Sequence, residues 1–404
     1  MWILLALACT NEAPERPTWY ADVAPLVDTH CARCHAAGGV GGVDLTDPEG
    51  AVALAGAMVT AVESGRMPPP ASDPACQDYV GSDGLVLSDE ERATLVAWEQ
   101  GGAPLGDPAS EVEVAVPSAV LSEPDLELRL SAPYAPAYVD PENAANEYRC
   151  FVLDPGQAED FYVTAMAPIV DEVAMVHHVV LFKAVRNLLP AAALDPSGYD
   201  CINGSEVENV GMLAAWAPGM LPVELPAGVG MFVGSDEVFV LQMHYYDNGR
   251  VEGLSDQSGY AMRITDTAEH AAQMAPLGIS DFVIPAGEPA HEDGDSFENS
   301  YLDLTVYGLF PHMHLLGQRF SASIVHEDGS ETCLVEGAYD FANQMTYQYL
   351  SPIDFDVGDR LVYSCTWNNS ESNADLFYSP PQDVRYGERT DEEMCFMFTL
   401  VAPS

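Results

Sequence analysis

Two cysteines and a histidine near the start of the chain have the spacing Cys31-x-x-Cys34-His35. At this spacing two thiols can add across the vinyl groups of a haem while the adjacent histidine ligates its iron. The alternative is half of a zinc site, which needs a second C-x-x-C or H-x-x-x-H pair nearby, and the sequence has none within reach. The run therefore predicts one covalently attached haem c and a role in handling electrons.

A candidate for the second iron ligand lies in the run Gly65-Arg66-Met67-Pro68-Pro69-Pro70. Consecutive prolines restrict the backbone and would fix the Met67 thioether. The alternative is a methionine that fills a gap in the core. Ligation by His35 and Met67 would leave no open iron position for O2 and would give a fairly high reduction potential, which suits single-electron transfer.

Three helices are needed to position these ligands. Apolar spacing predicts helices over 20–30 and 51–64, and Ser88-Asp89-Glu90-Glu91 is a capping box that opens a third helix. We therefore predict a small all-α cytochrome c domain over 18–105.

Composition restricts the possible partners. The 404 residues include 63 acidic and 14 basic side chains, for a net charge of −49. Nucleic acid is excluded as a partner because no basic patch can be assembled, and anionic lipid headgroups are disfavoured. An acidic surface of this size suits an exported protein or a salty habitat.

The first residues predict export. Met1 to Cys9 is apolar and resembles the end of a lipoprotein signal, with Ala8 before a lipidated Cys9; the alternative is a truncated ordinary signal peptide. We expect residues 1–17 to be a signal segment and tether, and the protein to lie in the periplasm or at the cell surface, anchored through Cys9. In that oxidising compartment we expect disulfides among six further cysteines: Cys76, Cys150, Cys201, Cys333, Cys365 and Cys395.

The rest of the chain predicts β-structure. Residues 106–144 are rich in proline and acids and read as a linker with a first strand. From residue 145 short alternating runs punctuated by Gly, Pro, Asp and Asn predict antiparallel all-β sandwiches or jelly rolls. The length suggests two such domains, over 145–268 and 269–404, with the break near 265–276.

Five of the ten histidines fall in three groups beside apolar, strand-like runs: His177 and His178, His244, and His312 and His314. Any one of them alone is more often a core residue, but together they predict metal binding. His312 and His314 would face the same side of a strand, whereas His177 and His178 would need a bulge or a strand end to act together. Imidazoles suit copper, zinc or iron, and a soft Met394 ligand would favour copper.

Four motifs in this region carry a resemblance to a known family. They are the paired histidines before Val-Leu-Phe, Leu-Gln-Met-His-Tyr, His-x-His-Leu-x-Gly and Glu-Met-Cys, in that order. Over residues 145–402 the chain resembles the copper type II, ascorbate-dependent monooxygenases, which include peptidylglycine α-hydroxylating and dopamine β-hydroxylating enzymes. The fused cytochrome would make it a bacterial form.

The resemblance implies two copper ions in two jelly rolls that face each other across a wet cleft. His177, His178 and His244 would bind the electron-transfer copper, and His312, His314 and Met394 the catalytic copper that activates O2. It also implies the disulfides Cys150–Cys201 and Cys365–Cys395, and leaves Cys76 and Cys333 open.

Phe310, Phe396 and Phe398 stand where peptide-amidating members hold the substrate carboxylate with Arg, Asn and Tyr. A buried carboxylate would lack a partner there, so we expect hydroxylation of a C–H bond of an apolar or aromatic small substrate; the alternative is that these rings are simply core. The implied partners are O2, a small organic substrate and an electron donor, either a soluble or respiratory-chain carrier or an ascorbate-like reductant. The competing reading is a non-catalytic haem and copper electron-transfer or copper-binding protein.

Overall fold

The structure is a computed structural model that describes residues 16–139, 145–202, 204–247, 249 and 251–404. The predicted signal segment and the lipidation of Cys9 lie outside the described residues. The helical elements are a π-helical turn Trp19–Val23, α1 (Ala24–His30), α2 (Ala32–His35), α3 (Pro48–Glu63) and α4 (Asp89–Gln100), with 3₁₀ turns at Ser82–Gly84, Pro108–Ser110, Arg186–Leu188 and Ala191–Leu194. Among the described residues, no helix combines the length and apolar character needed to cross a membrane.

The helices pack into one small unit at the N-terminal end. Trp19 and Trp98 are buried at its centre, with ring centroids 5.8 Å apart. The predicted capping box is present: the Ser88 hydroxyl accepts from the backbone N–H of Glu91, and the Glu91 carboxylate accepts from that of Ser88. This unit therefore has its own apolar core. That it is a cytochrome c domain over residues 18–105 stays a prediction.

The described chain after the helical unit contains twenty strands. They are β1 (Leu126–Arg129), β2 (Asn146–Leu153), β3 (Phe161–Ile169), β4 (Val176–Val185), β5 (Tyr199–Asp200), β6 (Gly211–Trp216), β7 (Val223–Glu224), β8 (Val229–Val233), β9 (Glu237–Tyr246), β10 (Gly259–Thr265), β11 (His270–Ile279), β12 (Val283–Ile284), β13 (His291–Glu298), β14 (Leu304–His312), β15 (Gly317–Val325), β16 (Glu331–Ala338), β17 (Tyr347–Phe355), β18 (Arg360–Trp367), β19 (Val384–Arg385) and β20 (Cys395–Pro403).

The strands form two sandwiches that share one sheet. A five-stranded sheet, β5-β2-β9-β4-β6, belongs to the first sandwich, and a four-stranded sheet, β13-β18-β15-β16, belongs to the second. A nine-stranded sheet, β1-β10-β3-β8-β11-β20-β14-β17 with β7 on β3, runs through both. The predicted all-β architecture is present, and one apolar core extends through both sandwiches.

Strand β11 connects the two sandwiches at the place where the sequence suggests a break. Its first residues, from His270, pair in parallel with β8 of the first sandwich. Its later residues, to Ile279, pair antiparallel with β20 of the second. The backbone hydrogen bonds of one strand therefore fix the orientation of the two sandwiches.

Three disulfides are present among the described residues. Cys150–Cys201 and Cys365–Cys395 are the pairs that the family resemblance implies. The third, Cys76–Cys333, links the segment between α3 and α4 to strand β16 of the second sandwich. It links residues 257 positions apart, which no local sequence pattern indicates.

Candidate metal centres

The first histidine cluster lies on two neighbouring strands of the five-stranded sheet. His177 and His178 are in β4, and His244 is in the adjacent β9. The register between these strands shifts between Val176 and His178. Such a bulge turns consecutive side chains to the same side, which is the irregularity that joint ligation requires.

The three imidazoles of this cluster converge through their Nδ1 atoms. The Nδ1 atom of His177 lies 3.2 Å from those of His178 and His244, which are 3.1 Å from each other. A neutral ring nitrogen either carries a proton or accepts one, so hydrogen bonds alone cannot satisfy three mutual contacts. The spacing fits three nitrogens about 2 Å from one shared ion.

Two neighbouring residues orient His244. Its Nε2–H donates to Oδ1 of Asn146 over 2.6 Å, which leaves Nδ1 as the ligand atom. The Tyr148 ring stacks on the His244 ring with centroids 4.2 Å apart and planes within 6°. The sequence analysis missed both Asn146 and Tyr148. They lie two residues apart on β2, the strand that pairs with the Leu-Gln-Met-His-Tyr run of β9, and this spacing is the signal that could have indicated them.

Burial keeps these imidazoles neutral. Desolvation lowers the pKa of His177 to about 4. It holds the pKa values of His178 and His244 well below their usual range, and neighbouring imidazoles add to the effect. For His178 these neighbours include His312 and His314. Neutral imidazoles are the metal-binding form, so the cluster is ready to bind an ion at neutral pH.

The second cluster lies where strand β14 ends. His312 is the last residue of β14, and His314 follows it outside the strand. Their ring centroids are 5.2 Å apart. The two side chains therefore come together as predicted, but His314 is not held by the alternation of a strand. Its backbone N–H instead donates to the Glu393 carboxylate over 2.9 Å.

Both rings of this cluster use Nδ1 for orientation. His312 donates from Nδ1 to Oε1 of Gln344 over 2.7 Å, and His314 donates from Nδ1 to the Glu392 carbonyl over 3.0 Å. Each therefore offers Nε2 to an ion. Burial lowers the pKa of His312 and lowers that of His314 to about 3.

Met394 is the predicted third donor of the second cluster. Met394 is buried and lines the same cavity as His312 and His314. Two imidazoles with a soft thioether suit a copper ion that cycles through its reduced state. The residues of both clusters thus fit copper.

Glu393 fixes the backbone around these ligands. Its fully buried carboxylate accepts from the backbone N–H groups of His314, Leu316 and Met394 and from the Trp367 indole. Burial raises the pKa of Glu393 to about 7. The sequence analysis saw Glu393 only as part of the Glu-Met-Cys run, and Gln344, 32 residues from His312, carries no sequence signal.

A cavity of about 600 Å³ joins the two clusters. His178 lines it together with all three ligands of the second cluster. Phe310, Phe396 and Phe398 also line it, and their ring centroids are 5.7 to 6.0 Å apart from one neighbour to the next. These three rings form an aromatic wall of the cavity. The Phe310 ring stacks on His312, so the aromatic wall directly adjoins the second cluster.

The residues predicted to attach haem lie at the junction of α1 and α2. Cys31 and Cys34 are free thiols, and burial raises the pKa of Cys31 to about 12. The His35 Nδ1–H donates to the Val43 carbonyl over 3.3 Å, which leaves Nε2 for an iron. Met67 is 37% exposed after the end of α3. These donors fit a haem c, whose presence stays a prediction.

Two sandwiches with an Nδ1 triad and a predicted His-His-Met set around a common cavity are the arrangement expected of a protein that binds two copper ions. Two family models match it: the N-terminal domain of copper type II ascorbate-dependent monooxygenase over residues 135–252, and the C-terminal domain over residues 290–403. Together they cover more than half of the chain. The chain belongs to the copper type II ascorbate-dependent monooxygenase family, as the four motifs indicate.

Curated relatives agree. Peptidylglycine alpha-amidating monooxygenase of Rattus norvegicus is 25% identical over 279 residues, 65% of this chain and 27% of that protein. DBH-like monooxygenase protein 2 of Mus musculus is 25% identical over 292 residues, 66% of this chain and 44% of that protein. Dopamine beta-hydroxylase of Canis lupus familiaris is 23% identical over 252 residues, which are 57% of this chain and 38% of that protein. The chain thus spans less than half the length of these relatives.

The similarity to solved structures is too low to indicate a shared fold. A Paenibacillus xanthan lyase aligns over 76% of this chain and 29% of its own, with 13% identity and a TM-score of 0.17.

Proposed function

We propose that this chain is an exported copper-dependent monooxygenase that hydroxylates a C–H bond of an apolar or aromatic small substrate with O2. Electrons would be supplied through the c-type haem of the helical unit. The observation that carries the proposal is the single cavity lined by His178 of the first cluster and by His312, His314 and Met394 of the second. Membership of the family supports the copper chemistry.

The two donor sets support different roles. Copper, when bound, supplies reversible one-electron chemistry and a binding position for O2. The Met394 thioether favours the reduced ion, which suits the second cluster to the reaction with O2. Three imidazoles in the first cluster suit storage of the second electron. The neutral state of all five imidazoles keeps both clusters competent at neutral pH.

The aromatic wall carries the substrate proposal. Phe310, Phe396 and Phe398 exclude water beside His312 and offer dispersion contacts to an apolar group. A substrate carboxylate at this wall would be desolvated without a partner. We expect a small alkyl-substituted arene to be hydroxylated far faster than a peptide that ends in glycine. Comparable rates for the two would contradict this preference.

The haem supply rests on the donors of the helical unit. The free thiols of Cys31 and Cys34 and the free Nε2 of His35 are available to a covalent haem, with Met67 proposed as the second iron ligand. Reduced haem should reoxidise faster when copper is bound than in the copper-free protein. Equal rates would contradict the electron supply.

Export and tethering are part of the same proposal. The three disulfides are compatible with an oxidising compartment. Replacement of Cys9 by alanine should release the protein from the membrane fraction, and unchanged fractionation would contradict a lipid anchor.

The central test is copper-dependent O2 consumption by the full chain with ascorbate, combined with a search for a product that gains one atom from labelled O2. Met394→Ile should reduce consumption to background while the fold is retained. The matched control is Met166→Ile, a buried methionine on β3 that does not line the cavity. Copper binding without O2 consumption in the wild-type chain would favour the non-catalytic alternative.

A further inference from the structure

Residues 65–70, which contain Met67, are called the methionine loop below. The segment that follows this loop is attached along the edge of the second sandwich. The backbone N–H of Asp73 donates to the Glu336 carbonyl over 2.8 Å, and that of Val80 donates to the Gln348 carbonyl over 2.8 Å. The Cys76–Cys333 disulfide lies between these two bonds. Residues 72–80 therefore hold the helical unit at a defined position against β16 and β17.

Aromatic packing strengthens this attachment. The Tyr79 ring is buried edge-on against Tyr347, with centroids 4.9 Å apart. The Tyr347 hydroxyl accepts from the backbone N–H of Ser72, and the Tyr79 hydroxyl donates to the Ser72 carbonyl. Ser72, Tyr79 and Tyr347 are all buried, so this attachment is packed into the fold and is not a loose tether.

The methionine loop reaches the second copper cluster through one turn of the chain. Pro70, three residues after Met67, accepts a hydrogen bond at its carbonyl from Nδ2 of Asn343 over 3.3 Å. The next residue, Gln344, accepts from Nδ1 of His312 over 2.7 Å. Two hydrogen bonds, together with the covalent chain of residues 67–70 and 343–344, thus connect the Met67 loop to His312 of the second cluster.

The same turn lies between the two clusters. The Phe341 ring centroid is 5.8 Å from that of His177 and 6.1 Å from that of His314. The Phe341 carbonyl also accepts from Nε2 of Gln344 over 3.1 Å, which fixes the turn internally. Residues 341–344 therefore contact the methionine loop and both histidine clusters.

We propose that the turn Phe341–Gln344 is the electron-entry junction of this protein, and that Asn343 is the residue that couples the haem loop to the His312 centre. This inference rests on the proposed function, since it requires haem at Cys31, Cys34, His35 and Met67. Asn343 and Gln344 are positioning residues in this scheme. The Phe341 ring contacts His177, and through this contact electrons would reach the first cluster.

The electron balance is simple. With haem and copper bound, each passage would take one electron from ferrous haem to a cupric ion, so that iron would be oxidised from Fe(II) to Fe(III) and copper reduced from Cu(II) to Cu(I). An external one-electron donor would then reduce the haem again. Two passages supply the two electrons that, with two protons, convert O2 and a C–H bond into an alcohol and water.

The test uses the full chain loaded with haem and copper, without O2. A light-generated one-electron reductant reduces the haem in a flash, and the absorbance of the haem reports its reoxidation by Cu(II). Asn343→Leu should slow this reoxidation at least several-fold. The haem spectrum, the copper content and O2 consumption driven directly by ascorbate should be unchanged, because the side-chain hydrogen bond of Asn343 is to Pro70 and the predicted ligands of both clusters are retained.

The matched control is Asn368→Leu, a half-buried asparagine of the same sandwich whose side-chain hydrogen bonds stay within its own turn. It should reoxidise haem at the wild-type rate. Wild-type reoxidation in Asn343→Leu would overturn the junction while leaving the haem supply intact. Wild-type haem that reoxidises no faster with copper than without it would overturn the haem supply and the junction together, whereas the ascorbate assay tests the monooxygenase by itself.

Discussion

At the scale of single residues, hydrogen-bond partners decide which ring nitrogen His244, His312 and His314 offer. In the first cluster the Nε2–H of His244 is engaged by Asn146, and three Nδ1 atoms converge. In the second, the Nδ1 atoms of His312 and His314 are engaged and Nε2 is left. The choice of ligand atom is set by neighbours that the histidine motifs do not contain.

Burial of the ligand histidines predicts an acid-sensitive stability. In the unfolded chain a histidine titrates at a pKa of about 6.5, whereas in the folded protein the pKa is about 4 for His177 and about 3 for His314. Above the unfolded value both states are neutral. Below it only the unfolded chain gains protons, so the free energy of unfolding of the metal-free protein should fall by roughly 1.4 kcal/mol per pH unit for each such histidine.

Denaturant unfolding of the metal-free protein at neutral pH and at mildly acid pH measures this fall. The double variant His177→Asn, His314→Asn should show a smaller fall than the wild type. This comparison isolates the histidines from Glu393, whose raised pKa acts in the opposite direction and stabilises the fold as the pH drops. Equal falls in both proteins would contradict buried, neutral imidazoles.

The aromatic wall predicts a second effect at this scale. Phe398→Asn places an amide without a partner among Phe310, Phe396 and His312. We expect kcat/KM for an apolar substrate to fall by the equivalent of about 1–3 kcal/mol, with copper binding retained. Steady-state kinetics check it, and Phe377→Asn, an exposed ring outside the cavity, is the matched control. An unchanged kcat/KM would mean that the wall does not contact the substrate.

At the scale of elements, the second cluster depends on how the end of β14 meets the start of β20. The Glu393 carboxylate makes this junction by accepting from four N–H groups of both segments and of Trp367. A backbone held in this way fixes His314, which the strand itself does not.

Glu393→Gln should loosen this junction. An amide has one acceptor oxygen instead of two, and its N–H₂ would face backbone donors, so we expect a loss of about 1–3 kcal/mol in the free energy of unfolding. Copper titration should show weaker binding at the second cluster and unchanged binding at the first. Glu392→Gln is the control, because its side chain accepts only from the Arg389 backbone in this region. Equal affinities in both variants would contradict the positioning role.

Local patterns predicted the elements but not their long-range assembly. The capping box at Ser88 and the strand runs depend on neighbouring residues, and the bulge at His177 followed from the need to turn two consecutive side chains. The pairing of β11 with both sandwiches and the Cys76–Cys333 bond depend on contacts distant in sequence. The partners Gln344 and Phe341 were missed for the same reason.

At the scale of the whole molecule, the helical unit and the two sandwiches are joined by continuous contacts. The nine-stranded sheet passes through both sandwiches, and Tyr79 and Leu85 of the helical unit belong to the same apolar cluster as the sandwich core. On its other side, Gly219 packs so closely on Cys34 that a Cβ atom there would lie 2.8 Å from its sulfur. The Cys31–His35 motif thus contacts the first sandwich while residues 72–80 contact the second.

This arrangement makes the Cys76–Cys333 bond a test of docking. The double variant Cys76→Ser, Cys333→Ser removes a crosslink across 257 residues, and we expect a loss of about 2–5 kcal/mol in the free energy of unfolding. Limited proteolysis should also cleave the linker over 106–125 faster, because the helical unit can detach. Cys150→Ser, Cys201→Ser, whose bond lies within the first sandwich, should destabilise the protein without exposing the linker. If both double variants exposed the linker equally, cleavage would report general unfolding, and the bond would have no particular role in holding the helical unit.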